Sequence, residues 1–399
     1  MTRCALYHKD IIRGEFYMKK IVVAIDSFKG SLTTFEAGKA IEEAAKEVYE
    51  NTDVIISPIA DGGEGTVEAI ISAANGELIR TAVCNPLDKK IEATYGFIPR
   101  TKTAIIEMSA AAGITLVSES ERNPMNTTTF GVGEMILDAI SKGCRKFAIG
   151  IGGSATNDGG VGMLQALGFE FLDENGKQVS LGAKGLKDIT TIRIENAAKE
   201  LKECSFCVAC DVKNILCGDN GCSAIYGPQK GATPEMIKNM DAWLEEYARL
   251  TKAVIPTSNA NIPGTGAAGG LGFAFVSYLD ATLESGIELV MKETKLESLI
   301  KDADIVVTGE GRLDGQSYMG KAPIGVAKLA KKYNKPVIAF SGCVTEDAIV
   351  CNEHGIDAFF PIVRKPCTLD EAMNVNNAFK NLKDSAYQVL RLIKIYEHK

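Results

Sequence analysis

Apolar strand-like runs alternate with helix-like segments at both ends of the 399-residue chain, and this alternation most restricts the fold. The N-terminal part has two such runs, KKIVVAIDSF and DVIISPIAD, and the C-terminal third has three, DADIVVTGE, KPVIAFSG and AFFPIV. Between them we predict helices from Thr33 to Glu50, after Pro323, from Glu346 and from about Leu369. Apolar runs with little alternation are typical of parallel strands covered by helices on both faces. We therefore predict a doubly wound parallel α/β domain built from both ends of the chain.

The middle of the chain follows a different pattern. Three strand-like runs follow one another there without an intervening helix: ELIRTAVC, IEATYGFI and TKTAIIEMS. This order favours antiparallel pairing, and a chain of this length usually forms two domains. We predict an inserted α/β domain with a mixed or antiparallel sheet over residues 85–285. The discontinuous doubly wound domain would then comprise residues 18–84 and 286–399, preceded by an N-terminal extension over residues 1–17.

Overall charge and hydropathy exclude several classes of protein. The net charge of −7 argues against a nucleic-acid partner, because duplex binding needs concentrated Lys and Arg. No run approaches the roughly 18 consecutive apolar residues of a membrane span. Residues 1–17 carry charged side chains and no apolar segment, so they do not resemble a secretion signal. We expect neither a membrane protein nor a secreted one.

The eleven cysteines are an odd number at irregular spacing, which indicates a reducing compartment, and we predict a cytoplasmic location. Cys204, Cys207 and Cys210 form a CxxCxxC run that could hold zinc or an iron–sulfur cluster. The surrounding segment SFCVACDV is instead typical of a buried strand, where cysteine behaves as a small apolar residue. We favour this structural interpretation.

Glycines and carboxylates collect where strand-like runs end, the edge at which open α/β sheets bind ligands. The first such loop contains Ser27, Lys29 and Ser31 ahead of a helix and could hold an anion. The alternative is an ordinary capped turn with a solvated lysine. The second loop, DGGEGT, carries Asp61 and Glu64, whose carboxylates suit Mg²⁺. Its alternative is a tight turn whose acidic residues cap the next helix.

Residues 146–163, KFAIGIGGSATNDGGVGM, form the third and richest loop. Its amides and hydroxyls could cradle phosphate oxygens, while Asp158 could accept a hydroxyl proton or hold Mg²⁺. A purely structural loop would rarely need so many residues that tolerate close approach. We predict that the nucleotide-binding residues of this loop are Gly152, Gly153, Ser154, Thr156, Asn157 and Gly159.

The fourth loop, TGEGRLD, contains Glu310, Arg312 and Asp314 and leads to Lys321. Arg312 and Lys321 could neutralise a phosphate or a substrate carboxylate, and the alternative is that they form ordinary surface ion pairs. The segment from Gly315 to Lys321 nearly matches the Walker A phosphate-binding motif. It lacks the hydroxyl residue that would meet Mg²⁺ and has no strand directly before it, so we reject a true P-loop.

Two further catalytic types are poorly supported. The segment GTGAAGGLG matches the dinucleotide pattern GxGxxG, but it follows a polar, proline-ended segment instead of a strand. The chain has only three histidines, of which His8 and His398 lie near the termini and His354 is expected at a helix end. A Ser-His-Asp hydrolase is therefore disfavoured, and a general base is expected to be Asp or Glu.

Six motifs occur in an order that closely resembles the bacterial glycerate kinases: DSFKGSL, DGGEGT, IGIGGSATNDGG, YGPQKGA, GAAGGLG and TGEGRLD. The resemblance covers essentially residues 18–399. It implies a flavodoxin-like domain combined with a second α/β domain. It also implies phosphoryl transfer from MgATP to D-glycerate, giving 2-phosphoglycerate or, in some members, 3-phosphoglycerate. Asp211 and Asn214 match the family pattern, whereas Ile215 and Cys222 replace its usual Pro and Ala.

Candidate roles follow for the loop residues. Asp158 is the first candidate for the base, with Asp61 and Asp211 as alternatives. The catalytic candidates together are Asp158, Asp61, Lys29 and Arg312. Lys321 joins the nucleotide-binding set, and the substrate-binding candidates are Ser27, Ser31, Asn214, Glu310 and Asp314. The metal-binding candidates are Asp61, Glu64 and Asp211.

Two other functions stay open: a non-catalytic sensor of an acidic metabolite and a kinase of another short hydroxy acid. Carboxylates in three loops speak against the sensor, because binding an anion alone favours cations and amides. We expect ATP, Mg²⁺ and D-glycerate as ligands and no nucleic-acid or membrane partner. The oligomeric state, including a homodimer, is not determined by the sequence.

Overall fold

The structure is a computed structural model that describes residues 18–60, 65–319 and 321–397. Its strands are β1 (Lys20–Val23), β2 (Asp53–Ile56), β3 (Glu77–Cys84), β4 (Lys90–Ile98), β5 (Thr103–Glu107), β6 (Lys146–Gly150), β7 (Glu170–Leu172), β8 (Thr191–Arg193), β9 (Ser205–Ala209), β10 (Thr282–Glu284), β11 (Ile305–Leu313), β12 (Val337–Val344) and β13 (Ala358–Pro361). Its helices are α1 (Thr34–Val48), α2 (Thr66–Ala74), α3 (Ser109–Ala112), α4 (Phe130–Ser141), α5 (Val161–Ala166), α6 (Cys222–Tyr226), α7 (Pro234–Val254), α8 (Ala267–Leu279), α9 (Gly286–Glu293), α10 (Leu296–Lys301), α11 (Ala322–Lys332), α12 (Val350–Glu353), α13 (Leu369–Met373) and α14 (Val375–Glu397).

The first sheet joins both ends of the chain, in the order β2-β1-β11-β12-β13, with every pair parallel. Numbered by chain order within the sheet, this is the 2-1-3-4-5 arrangement of flavodoxin-like folds. Successive side chains of β1 enter two different cores: Ile21 and Val23 pack with α1 and α14, and Val22 packs on the side of α9 and α11. Burial on both faces explains why these strands are apolar throughout. The predicted doubly wound domain is confirmed.

The second sheet is mixed, in the order β10-β9-β6-β5-β4-β3. The pairs β3–β4 and β4–β5 are antiparallel, and the remaining pairs are parallel. This confirms the predicted mixed or antiparallel sheet. The predicted boundary between residues 84 and 85 would leave β3 in the first domain, whereas all eight residues from Glu77 to Cys84 pair with β4. The strand pairings therefore assign β3 to the second sheet.

The two sheets share one layer of helices. Helices α2 and α9 contribute Ile70 and Ile287 to a core that also contains Val306 of the first sheet and Ile105 and Ala148 of the second. This continuous packing holds the carboxyl ends of both sheets in one region. A functional site at that edge can therefore draw residues from both sheets.

Local signals explain where several helices begin and end. Thr33, where the first helix was predicted to begin, accepts from the backbone N–H of Glu36, whose side chain accepts in turn from the backbone N–H of Thr33. The predicted final helix is two helices: a second capping box at Thr368 begins α13, and the chain leaves helical geometry at Asn374 before α14 starts. The helix predicted from Glu346 begins as a 3-10 turn and continues as the short α12. Shorter helices result where local caps interrupt the periodicity.

Cys207 lies in β9, and all ten cysteines of the described residues are free thiols. Within residues 18–60, 65–319 and 321–397, no group of three or more His, Cys, Asp or Glu side chains has a geometry that could hold a metal. Over the same residues, no helix is both long and apolar enough to cross a membrane.

Candidate functional site

Three cavities meet at Lys29, in the loop after β1. The first, of about 430 Å³, lies over the ends of β6 and β9, and we call it the glycine-loop cavity because Gly152, Gly153 and Ser154 line it. The second, of about 670 Å³, lies over the ends of β11 and β12 and is called the apolar-walled cavity. The third, of about 840 Å³, lies beside the start of α1, and we call it the α1 cavity. The exposed Lys29, in a loop of the first sheet, thus lines the same cavity as the glycine-rich loop of the second sheet.

The loop after β1 is held as a tight turn. Phe28 accepts from the backbone N–H of Ser31 at 2.7 Å and from its hydroxyl at 3.0 Å, and Gly30 takes a positive φ of 82°. The predicted residues Ser27, Lys29 and Ser31 all line the apolar-walled cavity and the α1 cavity. Asp26 lines the same two cavities although it is only 7% exposed. Asp26 was given no role from the sequence, although its carboxylate stands at the end of a strand-like run, where sheets of this kind bind ligands.

The fourth predicted loop forms the charged part of the apolar-walled cavity. Ser317 donates to Glu310 at 2.7 Å, and Lys321 donates to Asp314 at 3.1 Å. Arg312 also lies 3.5 Å from Asp314, so both predicted cations share one carboxylate. Burial raises the pKa of Glu310, against the opposing effect of the Ser317 hydrogen bond. The four predicted residues, Glu310, Arg312, Asp314 and Lys321, all line the cavity. Ser317, which was not predicted, does not line it.

Much of the remaining lining of the apolar-walled cavity is apolar. Its apolar residues come from the loop after β1, the ends of β12 and β13, and the last two helices: Phe28, Val344, Pro361, Ile362, Val363, Leu369, Ala372, Met373 and Ala378. A concave apolar pocket with a few convergent charged groups is the usual form of a small-molecule site. This cavity therefore suits a ligand with both an apolar and an anionic part.

The glycine-rich third loop is only partly presented to the cleft. Of the residues predicted to bind the nucleotide, Gly152 and Gly153 are exposed and Ser154 lines the cavity at 8% exposure. Thr156 and Asn157 are fully buried, do not line the cavity, and the amide of Asn157 donates to Ser223. Gly159 is also buried and does not line it, so the nucleotide contact predicted for these three residues does not agree with the geometry.

Asp158 is enclosed by its own loop. It is 1% exposed and lines none of the three cavities. Its carboxylate accepts from the backbone and hydroxyl of Thr129 and from the backbone N–H groups of Gly160 and Gly162. Burial raises the pKa of Asp158, and these hydrogen bonds act in the opposite direction. A base must reach the proton that it removes. In this structure the Asp158 carboxylate lines none of the three cavities and holds its own loop together, and its role as the base stays a prediction.

The remaining predicted residues fall into three situations. Asp211 lines the glycine-loop cavity and accepts from the backbone N–H of Gly286 at 3.0 Å, where α9 begins. Asn214 does not line it, but accepts at 2.6 Å from the hydroxyl of Tyr226, which does. The predicted metal ligands Asp61 and Glu64 lie outside the described residues. Asp211 is thus the one predicted metal ligand whose position can be described.

Lys230 was not among the residues predicted from the sequence, although it lies in the motif YGPQKGA. It lines the glycine-loop cavity at 2% exposure, and its ammonium donates to the Ser154 hydroxyl at 2.7 Å and to the Thr156 carbonyl at 2.6 Å. Burial lowers the pKa of Lys230 to about 8. A lysine in a Pro- and Gly-containing loop is ordinarily solvated, so only the packing of the chain around Lys230 could reveal its burial.

Comparisons with known proteins cover most of the chain and agree with one another. The model of the family described as "Glycerate kinase family" matches residues 21–394. The chain is 46% identical over 379 residues to a glycerate kinase of Haemophilus influenzae, covering 95% of this chain and 100% of that protein. It is 47% identical over 368 residues to a glycerate 2-kinase of Escherichia coli, covering 91% and 97%. A crystal structure of a glycerate kinase 2 from Salmonella typhimurium LT2 has a TM-score of 0.89 and 43% identity, covering 96% of this chain and 100% of that one.

Proposed function

Because the chain belongs to the glycerate kinase family, we propose that it transfers the γ-phosphoryl group of MgATP to a hydroxyl of D-glycerate. The product would be 2-phosphoglycerate or 3-phosphoglycerate. Membership of a kinase family favours an enzyme over the non-catalytic sensor considered from the sequence. The observation that carries the proposal is the position of Lys29, where cavities over both sheets meet.

Positioning and charge neutralisation are what a phosphoryl transferase must supply, since its transition state needs little covalent help. Anions bound over the glycine loop and over the first sheet would both approach Lys29. The exposed Gly152 and Gly153 allow close approach of phosphate oxygens to the backbone. Arg312 and Lys321 would offset further negative charge at the first sheet.

Mg²⁺ would be held at the glycine-loop cavity. Mg²⁺ prefers one or two carboxylates together with phosphate oxygens and water. Asp211 fits this requirement because its carboxylate lines the cavity beside the glycine loop. We keep Asp61 and Glu64 as further candidate ligands on the sequence argument. When bound, the ion would neutralise part of the phosphate charge.

The proton of the substrate hydroxyl needs an acceptor within reach of the cleft. With Asp158 enclosed, the sequence candidates that remain are Asp61 and Asp211. The structure adds Asp26, whose carboxylate lies beside Lys29 in the same loop and lines two cavities. We favour Asp26 among the described residues because it lies where ligands of the two sheets would meet.

An assay of ADP release with D-glycerate and Mg²⁺, followed by phosphorus NMR of the product, tests the proposal. We expect ADP release that requires both D-glycerate and Mg²⁺, and one phosphorylated glycerate whose spectrum identifies the hydroxyl used. A panel of other short hydroxy acids tests the alternative substrate class. The proposal fails if no phosphorylated glycerate forms. The cytoplasmic location stays a prediction that cell fractionation would test. Light scattering would determine the oligomeric state.

A further inference from the structure

Lys230 is a buried cation whose protein partners are neutral. It ends the 3-10 turn Pro228–Lys230 and is 2% exposed. Its ammonium donates to the Ser154 hydroxyl and to the Thr156 carbonyl. Among the residues that the structure describes, no carboxylate forms an ion pair with it. A fully buried lysine without a paired acid is rare, because removing an ammonium from water is unfavourable.

The ammonium retains one donor for a ligand. Lysine carries three N–H donors, and the two hydrogen bonds to protein oxygens account for two of them. Lys230 also lines the glycine-loop cavity, together with Gly152 and Gly153. The cavity thus places a positive charge beside exposed backbone, an arrangement that suits an oxyanion. If this side chain only filled space, an apolar residue could do so without the free-energy cost of burying a charge. The buried charge therefore points to a ligand.

We infer that Lys230 binds an oxyanion in the glycine-loop cavity and is a ligand-contacting residue of this enzyme. The oxyanion is a phosphate group of the nucleotide or the carboxylate of the small acid, since both present the same anionic oxygens. The identification of the oxyanion as one of these two groups rests on the proposed function. The presence of an anion site rests on the geometry alone.

Several titratable groups of the described residues lie near Lys230. Cys222 of α6 faces it, and burial raises the pKa of that thiol to about 11. Burial likewise raises the pKa of Cys210, after β9, and of Tyr226, at the end of α6. Asp158 adds negative charge from the loop before α5, while Lys29 and Asp211 line the same cavity. An anion bound to the ammonium would favour its charged form.

Binding measurements test the inference without relying on turnover. We would measure the affinity of the full chain for ATP, D-glycerate and inorganic phosphate by calorimetry, with Lys230→Met, Lys230→Arg and the exposed-lysine control Lys238→Met. Lys230→Met should weaken binding of at least one anion by about tenfold to a hundredfold, as expected for one charge-assisted hydrogen bond. Lys238→Met should bind like the unaltered chain. Loss confined to ATP assigns the phosphate, and loss confined to D-glycerate assigns the carboxylate.

The pH profile separates ligand contact from a purely structural role. For the unaltered chain, affinity for that anion should fall as pH rises from about 7.5 to about 9.5, because the ammonium loses its proton. Lys230→Arg keeps its charge over this range and should abolish the fall. This profile also serves if Lys230→Met does not fold. The inference is wrong if folded Lys230→Met binds all three anions normally, or if the affinity of the unaltered chain does not change with pH. If binding changes as expected but no phosphoglycerate forms, only the proposed function fails.

Discussion

Thr129 donates both its backbone N–H and its hydroxyl to one carboxylate oxygen of Asp158, at 2.8 and 2.9 Å. The Thr129 hydroxyl also accepts from the backbone N–H of Met163, inside α5. Asp158 further accepts from Gly160 and Gly162 at the start of α5. Thr129 immediately precedes α4, so one buried carboxylate caps the N-termini of two helices, where negative charge is favourable.

Asp158→Asn should therefore lower the free energy of unfolding, by about 2 to 4 kcal/mol. In the wild-type chain the buried carboxylate accepts several hydrogen bonds. The amide NH₂ of asparagine would face some of these donors and leave them without an acceptor. Denaturant unfolding measures the change, and the exposed Asp188→Asn is a control that should stay within about 0.5 kcal/mol. A variant with unchanged stability and strongly reduced turnover would instead support Asp158 as the base.

Lys29→Met should reduce kcat/KM for D-glycerate phosphorylation by about a hundredfold or more, because the lysine faces all three cavities. Its exposed position predicts a stability change within about 0.5 kcal/mol. Lys328→Met, an exposed lysine of α11, provides the same loss of charge away from the cleft and should leave steady-state kinetics unchanged. Near-normal kcat/KM in Lys29→Met would contradict the central role of this residue.

Gly269→Ala should destabilise the protein strongly. Gly269 has a φ of 68°, and an added Cβ would lie 2.1 Å from the backbone oxygen of Thr156. Backbone cannot easily move there, because Gly159 donates to the carbonyl of Gly269 at 2.9 Å. We expect a loss above about 3 kcal/mol in thermal or denaturant unfolding. Gly176→Ala shares the positive φ but meets no atom within 4 Å, and should cost only about 1 to 2 kcal/mol. Equal losses in the two variants would show that strain in φ alone explains the effect.

The stability of the unaltered chain relative to Lys230→Met should rise with pH. Below about pH 8 the lysine is charged in both states, and its burial opposes folding. Between about 8 and 10.5 the folded chain loses the proton while the unfolded chain keeps it, so the penalty is relieved by up to about 3 kcal/mol. Unfolding of both proteins across this range measures the difference. A constant difference would show that the Lys230 pKa is not lowered.

The fold was largely predictable because its signals are local. Apolar runs predicted the parallel sheet, the absence of helices between β3, β4 and β5 predicted antiparallel pairing, and Thr33 marked the start of α1. The boundary at residue 84 was less predictable. A strand such as β3 carries no local sign of which sheet it will join, because that depends on a partner strand.

Residue order alone determined the strands, the turns and the loops at the ends of the strands, since backbone conformation and burial patterns follow from neighbouring residues. Only the tertiary structure decided which polar groups of the glycine loop face the cleft. Leu244 of α7 and Leu271 of α8 pack against Gly159 and Gly160, and these helices come from far later in the chain. An aspartate in such a loop can serve a ligand or backbone amides equally well, and a lysine can be solvated or enclosed. Long-range packing placed Asp158 beneath the loop and Lys230 against the cavity.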